Sequence, residues 1–326
     1  MKMKQITDQL IKSKQVLLAS HMNPDGDAIG AMLGLGLALE SIKKKAHLYN
    51  QNAMPAVYQF LPSIHRIKQD PGDLASYDTA IILDCSDLQR IGDHAEAVSR
   101  IPTVINIDHH ITNNRFGNYQ LIDAKASATA EIVYRLIREM NIPFNTSMAY
   151  AIYTGIMADT GSFRFSNTTQ EAFRISHEMV AAGADPHTVA HHVYETISLN
   201  RIKLLTMLFD TIELSEDGAF SIMTLTQNML NASGTEIADV NGLINYAKRI
   251  ESVKVAALLY ERRNGREKGS TGSHYHVSLR SDGSVNVSSI AAAFGGGGHV
   301  TAAGFDIYTT LPELKKQLLS MSSRLR

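Results

Sequence analysis

Val16-Leu17-Leu18-Ala19-Ser20 runs directly into His21-Met22-Asn23-Pro24-Asp25-Gly26-Asp27, and an apolar, glycine-dotted stretch over residues 28–43 follows. The uncharged run of five, ended by a polar loop with proline and glycine, reads as a buried strand. The stretch after the loop has a helical pattern, and Gly30, Gly34 and Gly36 within it allow close approach to a neighbouring element. Strand, loop and helix in this order open a doubly wound α/β sheet, where ligands bind outside the carboxyl ends of parallel strands. The loop carrying His21, Asp25 and Asp27 lies at such an end.

The same logic recurs further along. Residues 79–83 and 103–107 read as buried strands that end directly in Asp84 and Asp108, the latter opening the triplet Asp108-His109-His110. Asp159 arrives differently, at the end of a buried helix expected over 148–158 and just before the breaker Gly161. Taken singly, an aspartate after a strand is more often a helix cap or turn former. Four acidic segments on converging element ends reverse that weighting. Carboxylate and imidazole donors together suit a first-row divalent ion. Two such ions can share a bridging carboxylate, activate a water and absorb charge developing on phosphoryl oxygens. The spacing predicts a two-metal hydrolase.

Helices expected over 168–182 and 186–195 complete a first domain, 1–195. A helix over 199–210 reads as a connector within a linker, 196–211. Strands over 220–225, 253–260 and 275–279 and a last helix over 311–325 then form a smaller domain, 212–326. The expected fold is α/β: a doubly wound, mainly parallel sheet in the amino-terminal domain and a smaller α/β carboxyl-terminal domain, joined by a linker helix. The basic loop 262–268 reads as a solvated hairpin tip.

Of the 326 residues, 44% are hydrophobic and 19% charged, and 31 basic against 32 acidic side chains leave a formal net charge of −1. That balance offers no long-nucleic-acid groove, so a phosphorylated substrate is expected to be small. No segment approaches the ~18 uninterrupted apolar residues of a membrane span. The start of the chain lacks a signal-peptide pattern, and the single cysteine, Cys85, suits a reducing compartment, so a cytoplasmic location is expected. Cys85 reads as a packing residue rather than a nucleophile.

These motifs resemble the DHH phosphoesterase superfamily, named for the triplet seen here as Asp108-His109-His110. His21 to Asp27 with Ala28-Ile29-Gly30 look like its first motif, Asp84-Cys85-Ser86 its second and Ala158-Asp159-Thr160-Gly161 its fourth. The resemblance implies that His21, Asp25 and Asp84 hold one metal and that Asp27, Asp84, His109 and Asp159 hold the other, with Asp84 as the bridge. It makes Asp108 the partner that orients a histidine. His110 would contact the scissile phosphate and stabilise or protonate the leaving oxygen.

Phe294-Gly295-Gly296-Gly297-Gly298-His299, followed by Ala302-Ala303-Gly304, is similar to the glycine-rich motif of the DHH-associated carboxyl-terminal domain, with Ser278-Leu279-Arg280-Ser281 as its upstream companion. Arg280, Ser281, Gly296, Gly297, Gly298 and His299 would then contact substrate. Glycines permit close approach, a guanidinium forks onto phosphate, and an imidazole hydrogen-bonds or stacks. Without the resemblance, a four-glycine loop is more often a flexible turn. A P-loop is excluded because no Gly-Lys-Ser/Thr follows.

The two-domain layout looks like the nanoRNase/pAp phosphatase group, which implies hydrolysis of short RNA oligonucleotides and of adenosine 3′,5′-bisphosphate (pAp). The implied cofactors are two divalent cations, Mn²⁺ ahead of Mg²⁺ or Co²⁺. Linear pApA is the alternative substrate. An inorganic pyrophosphatase is disfavoured because its second domain uses a cluster of basic residues, and a non-catalytic nucleotide-binding protein because every matched ligand position is filled. A homodimer is carried as a candidate assembly.

Overall fold

The computed structural model describes residues 2–236, 240, 242–262 and 272–322. The chain divides into two compact units between Thr196 and Ile197.

The first unit begins with α1 (Lys2–Lys12), which buries Ile6 and Leu10. Then follow β1 (Gln15–Ser20), α2 (Gly26–Ser41), β2 (Lys45–Tyr49), β3 (Ile67–Lys68), β4 (Thr79–Leu83), α3 (Ala95–Ser99), β5 (Thr103–Asp108) and β6 (Tyr119–Ile122). The unit closes with α4 (Thr129–Glu139), α5 (Thr146–Asp159), α6 (Gln170–Ala181) and α7 (Pro186–Ala190), which runs into a π-helical turn, His191–Glu195. Six strands form one sheet in the order β3-β2-β1-β4-β5-β6, and every pairing in it is parallel. Residues 79–83 are buried throughout, and so are 16–20, because helices and apolar loops cover both faces.

This strand order reverses direction between β1 and β4, which makes the gap at their carboxyl ends the topological switch point where such sheets bind ligands. Behind it, α2 and α5 touch backbone to backbone. A Cβ on Gly30 would lie 2.4 Å from the Ala151 carbonyl oxygen and 2.9 Å from the Gly155 nitrogen, so only glycine fits. That contact brings the amino end of α2, with Asp25 and Asp27, close to the last turn of α5, with Asp159.

The second unit contains α8 (Leu199–Phe209), β7 (Glu213–Leu214), β8 (Phe220–Leu225), α9 (Gln227–Ser233), α10 (Ile244–Lys248), β9 (Val255–Glu261) and β10 (Ser273–Ser281). It ends with α11 (Val287–Ala292), β11 (Gly297–Gly298), β12 (Ala302–Thr309) and α12 (Leu311–Ser320). Its sheet is mixed, in the order β11-β12-β10-β9-β8-β7, with β8 and β9 parallel. One face buries Phe220, Val277, Leu279 and Phe305 with Leu314 and Leu318 of α12. The other buries Met223, Leu225 and Leu258 under Leu204, Leu205 and Leu208 of α8. The helix read as a connector is therefore packed as a core element of the second unit. Helix α12 ends at Ser320, short of the expected 325, and 323–326 lie outside the described residues. So does the expected hairpin tip, apart from Arg262.

Candidate metal centre

Three strand ends and two helices deliver the acidic and imidazole side chains. His21 follows β1, and its Nδ1–H donates to the Met22 carbonyl at 2.8 Å. A carbonyl only accepts, so the ring's lone pair sits on Nε2. That atom lies 3.4 Å from Asp84 Oδ2 and 4.0 Å from Asp25 Oδ1. Asp25 caps α2, its Oδ1 accepting from the amides of Asp27 and Ala28 at 3.0 Å each.

Asp84 sits at the end of β4 in the left-handed region, φ 56°, a conformation that costs an aspartate about 1–3 kcal/mol. Its amide donates to the Ile107 carbonyl at 3.0 Å, which ties the strained residue to β5. The side chain is buried, and its two oxygens face different ways. Oδ2 faces His21, while Oδ1 lies 3.8 Å from His109 Nε2 and accepts from the Thr129 hydroxyl at 3.0 Å.

Asp27 accepts from the amides of Thr129 (2.6 Å) and Ala130 (2.8 Å) at the first turn of α4. His109 donates from Nδ1 to the Ala126 carbonyl at 3.3 Å, again leaving Nε2 as the ligand atom. That Nε2 lies 3.9 Å from Asp27 Oδ2 and 3.6 Å from Asp159 Oδ2. Two groups can thus each hold an ion, with ligand atoms within 4.8 Å of one another: His21, Asp25 and Asp84, and Asp27, His109 and Asp159. His110 also lies near Asp84 and His109, but its Nδ1 donates to Asp108 Oδ1 at 2.7 Å and is committed there. Asp108 is fully buried, and Asn113 donates to its second oxygen at 2.6 Å.

The electrostatics are those of a site built around positive charge. Burial, then the charges of Asp84, Asp159 and Asp25, hold the Asp27 carboxyl well above the usual range. Burial pushes Asp159 up to about 6, with Asp84 and Asp25 adding to it and His109 opposing. For Asp84 burial acts in the same sense but loses to the hydrogen bond and charge of His21 and to His109 and His110, which hold it low. His110 goes the other way: burial is outweighed by the Asp108 hydrogen bond and the Asp84 charge, and its pKa rises to about 8. Burial and Asp84 push the Cys85 thiol up, so it stays protonated and packs. Among the described residues the ion-pair partners of these carboxylates are histidines, not lysine or arginine. Crowded carboxylates with imidazole Nε2 atoms aimed among them fit divalent cations.

The substrate residues expected in the second unit are less uniformly placed. Arg280 is half-buried on β10, and its Nη1 donates to the neighbouring Leu279 carbonyl at 2.9 Å. Ser281 is buried on the opposite face of the strand, and its hydroxyl accepts from the Gly283 amide at 3.3 Å, inside the turn. Strand alternation therefore separates it from Arg280. Gly297 and Gly298 pair with Gly304 and Ala303. A Cβ on Gly296 would lie 2.2 Å from the Gly304 carbonyl oxygen, whereas one on Gly297 would meet nothing within 4 Å. His299 is exposed, and its amide closes the turn onto the Ala302 carbonyl at 2.7 Å.

Three supporting residues escaped the sequence reading. Thr129 holds both Asp27 and Asp84. Asn167 donates to Asp159 Oδ2 and to the Asp159 carbonyl, both at 3.1 Å. Asn113 bridges Asp108, Asn106 and the Cys85 carbonyl. Only Asn113, three residues after the triplet, offered a local cue.

The description "DHH family, N-terminal domain" matches residues 15–156, and "DHHA1 domain" matches 223–324. A Thermus thermophilus relative, named bifunctional oligoribonuclease and PAP phosphatase NrnA, is 33% identical over 89% of this chain and 83% of its own. The chain belongs to the DHH family. A Bacillus subtilis protein of the same name is 28% identical over 90% of both chains. Among solved structures, an exopolyphosphatase-related protein from Bacteroides fragilis superposes on this DHH protein with a TM-score of 0.90 and 28% identity, covering 99% of this chain and 97% of the other. Membership makes this chain a phosphoesterase dependent on divalent metal. Among the described residues no helix is long and apolar enough to cross a membrane.

Proposed function

We propose that this DHH phosphoesterase hydrolyses short RNA oligonucleotides to nucleoside 5′-monophosphates, and pAp to AMP and phosphate, with two divalent cations, Mn²⁺ first among them. The observation that carries the two-cation part is Asp84, whose two carboxylate oxygens face two separate histidine–aspartate sets at the switch point of the sheet. The substrate part is supported by the names of the Thermus and Bacillus relatives, which align over nearly all of the chain. Both reactions break an ester at a ribose 3′ oxygen, so one centre serves both.

His21, Asp25 and Asp84 would hold one cation, and Asp27, Asp84, His109 and Asp159 would hold the other. When bound, such cations supply Lewis acidity and a water of lowered pKa. His110, oriented by Asp108 and Asn113, hydrogen-bonds the scissile phosphate and gives a proton to the leaving 3′ oxygen. Arg280 binds a phosphate, and Gly296, Gly297, Gly298 and His299 admit the nucleotide backbone-close. The Ser281 hydroxyl stays with its turn. A cytoplasmic location is part of this reading and rests on the lone reduced thiol of Cys85.

The test compares initial rates on pAp, di- to tetraribonucleotides, linear pApA and pyrophosphate with Mn²⁺ present. Release of AMP from pAp and of monophosphates from dinucleotides, with pyrophosphate far slower, is expected. Preferential turnover of pApA or pyrophosphate would move the assignment to that substrate.

A further inference from the structure

The loop between Asp159 and Asn167 is tied to the metal centre at both ends. It leaves at Asp159 and returns where the Asn167 amide donates to the Asp159 carboxylate, to the Asp159 carbonyl and, at 2.9 Å, to the Ser127 carbonyl. Between those ends Gly161, Ser162 and Phe163 are consecutive left-handed residues, with φ of 56°, 61° and 61°. For Ser162 and Phe163 a left-handed backbone is strained, because the Cβ crowds the following carbonyl oxygen. Thr160 and Met157 hold it in place: the Phe163 amide donates to the Thr160 hydroxyl at 3.1 Å, and the Ser162 amide donates to the Met157 carbonyl at 2.7 Å.

The turn sends two aromatic rings in different directions. Phe163 goes inward, stacked on Phe173 at 5.1 Å and tilted against Tyr153 at 6.2 Å. Phe165 goes outward and is 56% exposed, contributing to no buried cluster. Its ring lies against Gly161 so closely that a Cβ there would be 2.4–2.5 Å from three ring carbons. One side of the ring is backed by glycine while the side chain as a whole stays more than half open. Such a ring needs little further ordering when a flat partner arrives.

We infer that Phe165 is a stacking platform for the base of the nucleotide whose phosphate the metal centre receives, an inference resting on the nucleotide reading above. Every base has a π-face, so an aromatic ring without polar atoms binds bases regardless of sequence. That suits a substrate class of short oligonucleotides and pAp. The strained turn then has a purpose: it seats the ring against Gly161, two residues after the candidate ligand Asp159.

The test is equilibrium binding of AMP and of ribose 5-phosphate to the full chain with Mn²⁺, measured calorimetrically. In the wild type AMP should bind more tightly than ribose 5-phosphate. Phe165→Ala should reduce that ratio by about five-fold or more while leaving ribose 5-phosphate affinity and the thermal midpoint unchanged. Phe165→Trp should keep the ratio, and Phe165→Leu should lose it, which separates stacking from apolar area. An unchanged ratio in Phe165→Ala, or equal weakening of both ligands, overturns the platform. A Phe165-dependent ratio in a protein that hydrolyses neither pAp nor dinucleotides supports the platform and removes the reaction assignment.

Discussion

In the first unit each candidate metal ligand has its side chain held by a hydrogen bond outside the ligand set: His21 to the Met22 carbonyl, Asp27 to two amides of α4, Asp84 to Thr129, Asp159 to Asn167. In the second unit, among the described residues, the Arg280 side chain bonds to the carbonyl beside it in the strand, a Cβ on Gly297 would meet nothing within 4 Å, and His299 is exposed. The difference follows from what each must do. Cation ligands have to converge before the ion arrives, since misplaced carboxylates repel one another, whereas contacts to a flexible nucleotide can tighten as it binds. The first region is built for fixed geometry and the second for access.

Substitutions can break that contrast in graded steps. Removing the imidazole proposed to protonate the leaving oxygen, His110→Ala, should lower kcat by about 10²–10⁴-fold while metal binding persists. Steady-state kinetics beside calorimetric metal titration separate the two, and lost metal binding would make His110 a ligand instead. Asn167→Ala frees the Asp159 carboxylate without touching a ligand and should weaken metal affinity by about 10–100-fold. Wild-type affinity there would mean that Asp159 needs no clamp.

In the second region the effects should move to KM. Arg280→Ala removes the proposed charged phosphate contact and should raise KM for pAp by about ten-fold with kcat kept; an unchanged KM would take Arg280 out of the binding set. Gly297→Ala should be the mildest, because among the described residues the added methyl meets nothing within 4 Å. Its thermal midpoint should match the wild type, so any rise in KM reports a substrate close to that backbone.

The contrast also explains what could be read from residues alone. Strand ends are local: 16–20, 79–83 and 103–107 are uncharged runs followed at once by polar residues, so β1, β4, β5 and the aspartates and histidines behind them were visible. Gly30 and Asp159 were legible for the same reason, as a packing break in a helix pattern and a polar end to one. The holding groups were not. Thr129 reaches Asp27 across 102 positions and Asp84 across 45, distances over which only the folded sheet creates the contact. Nor was the split between Arg280 and Ser281 visible, because adjacency in the chain means opposite faces in a strand. Helix α8 looked like a connector because its burial depends on β8 and β9, which come later in the chain.

The proposed reaction depends most on Asp84 being shared between two cations. Anomalous diffraction from crystals soaked in Mn²⁺ tests it directly. Two peaks flanking Asp84 are expected, one among His21 and Asp25 and the other among Asp27, His109 and Asp159, with each Asp84 oxygen on a different ion and both turnover and the two-ion pattern lost in Asp84→Ala. A single peak, or two ions of which one does not touch Asp84, would contradict it.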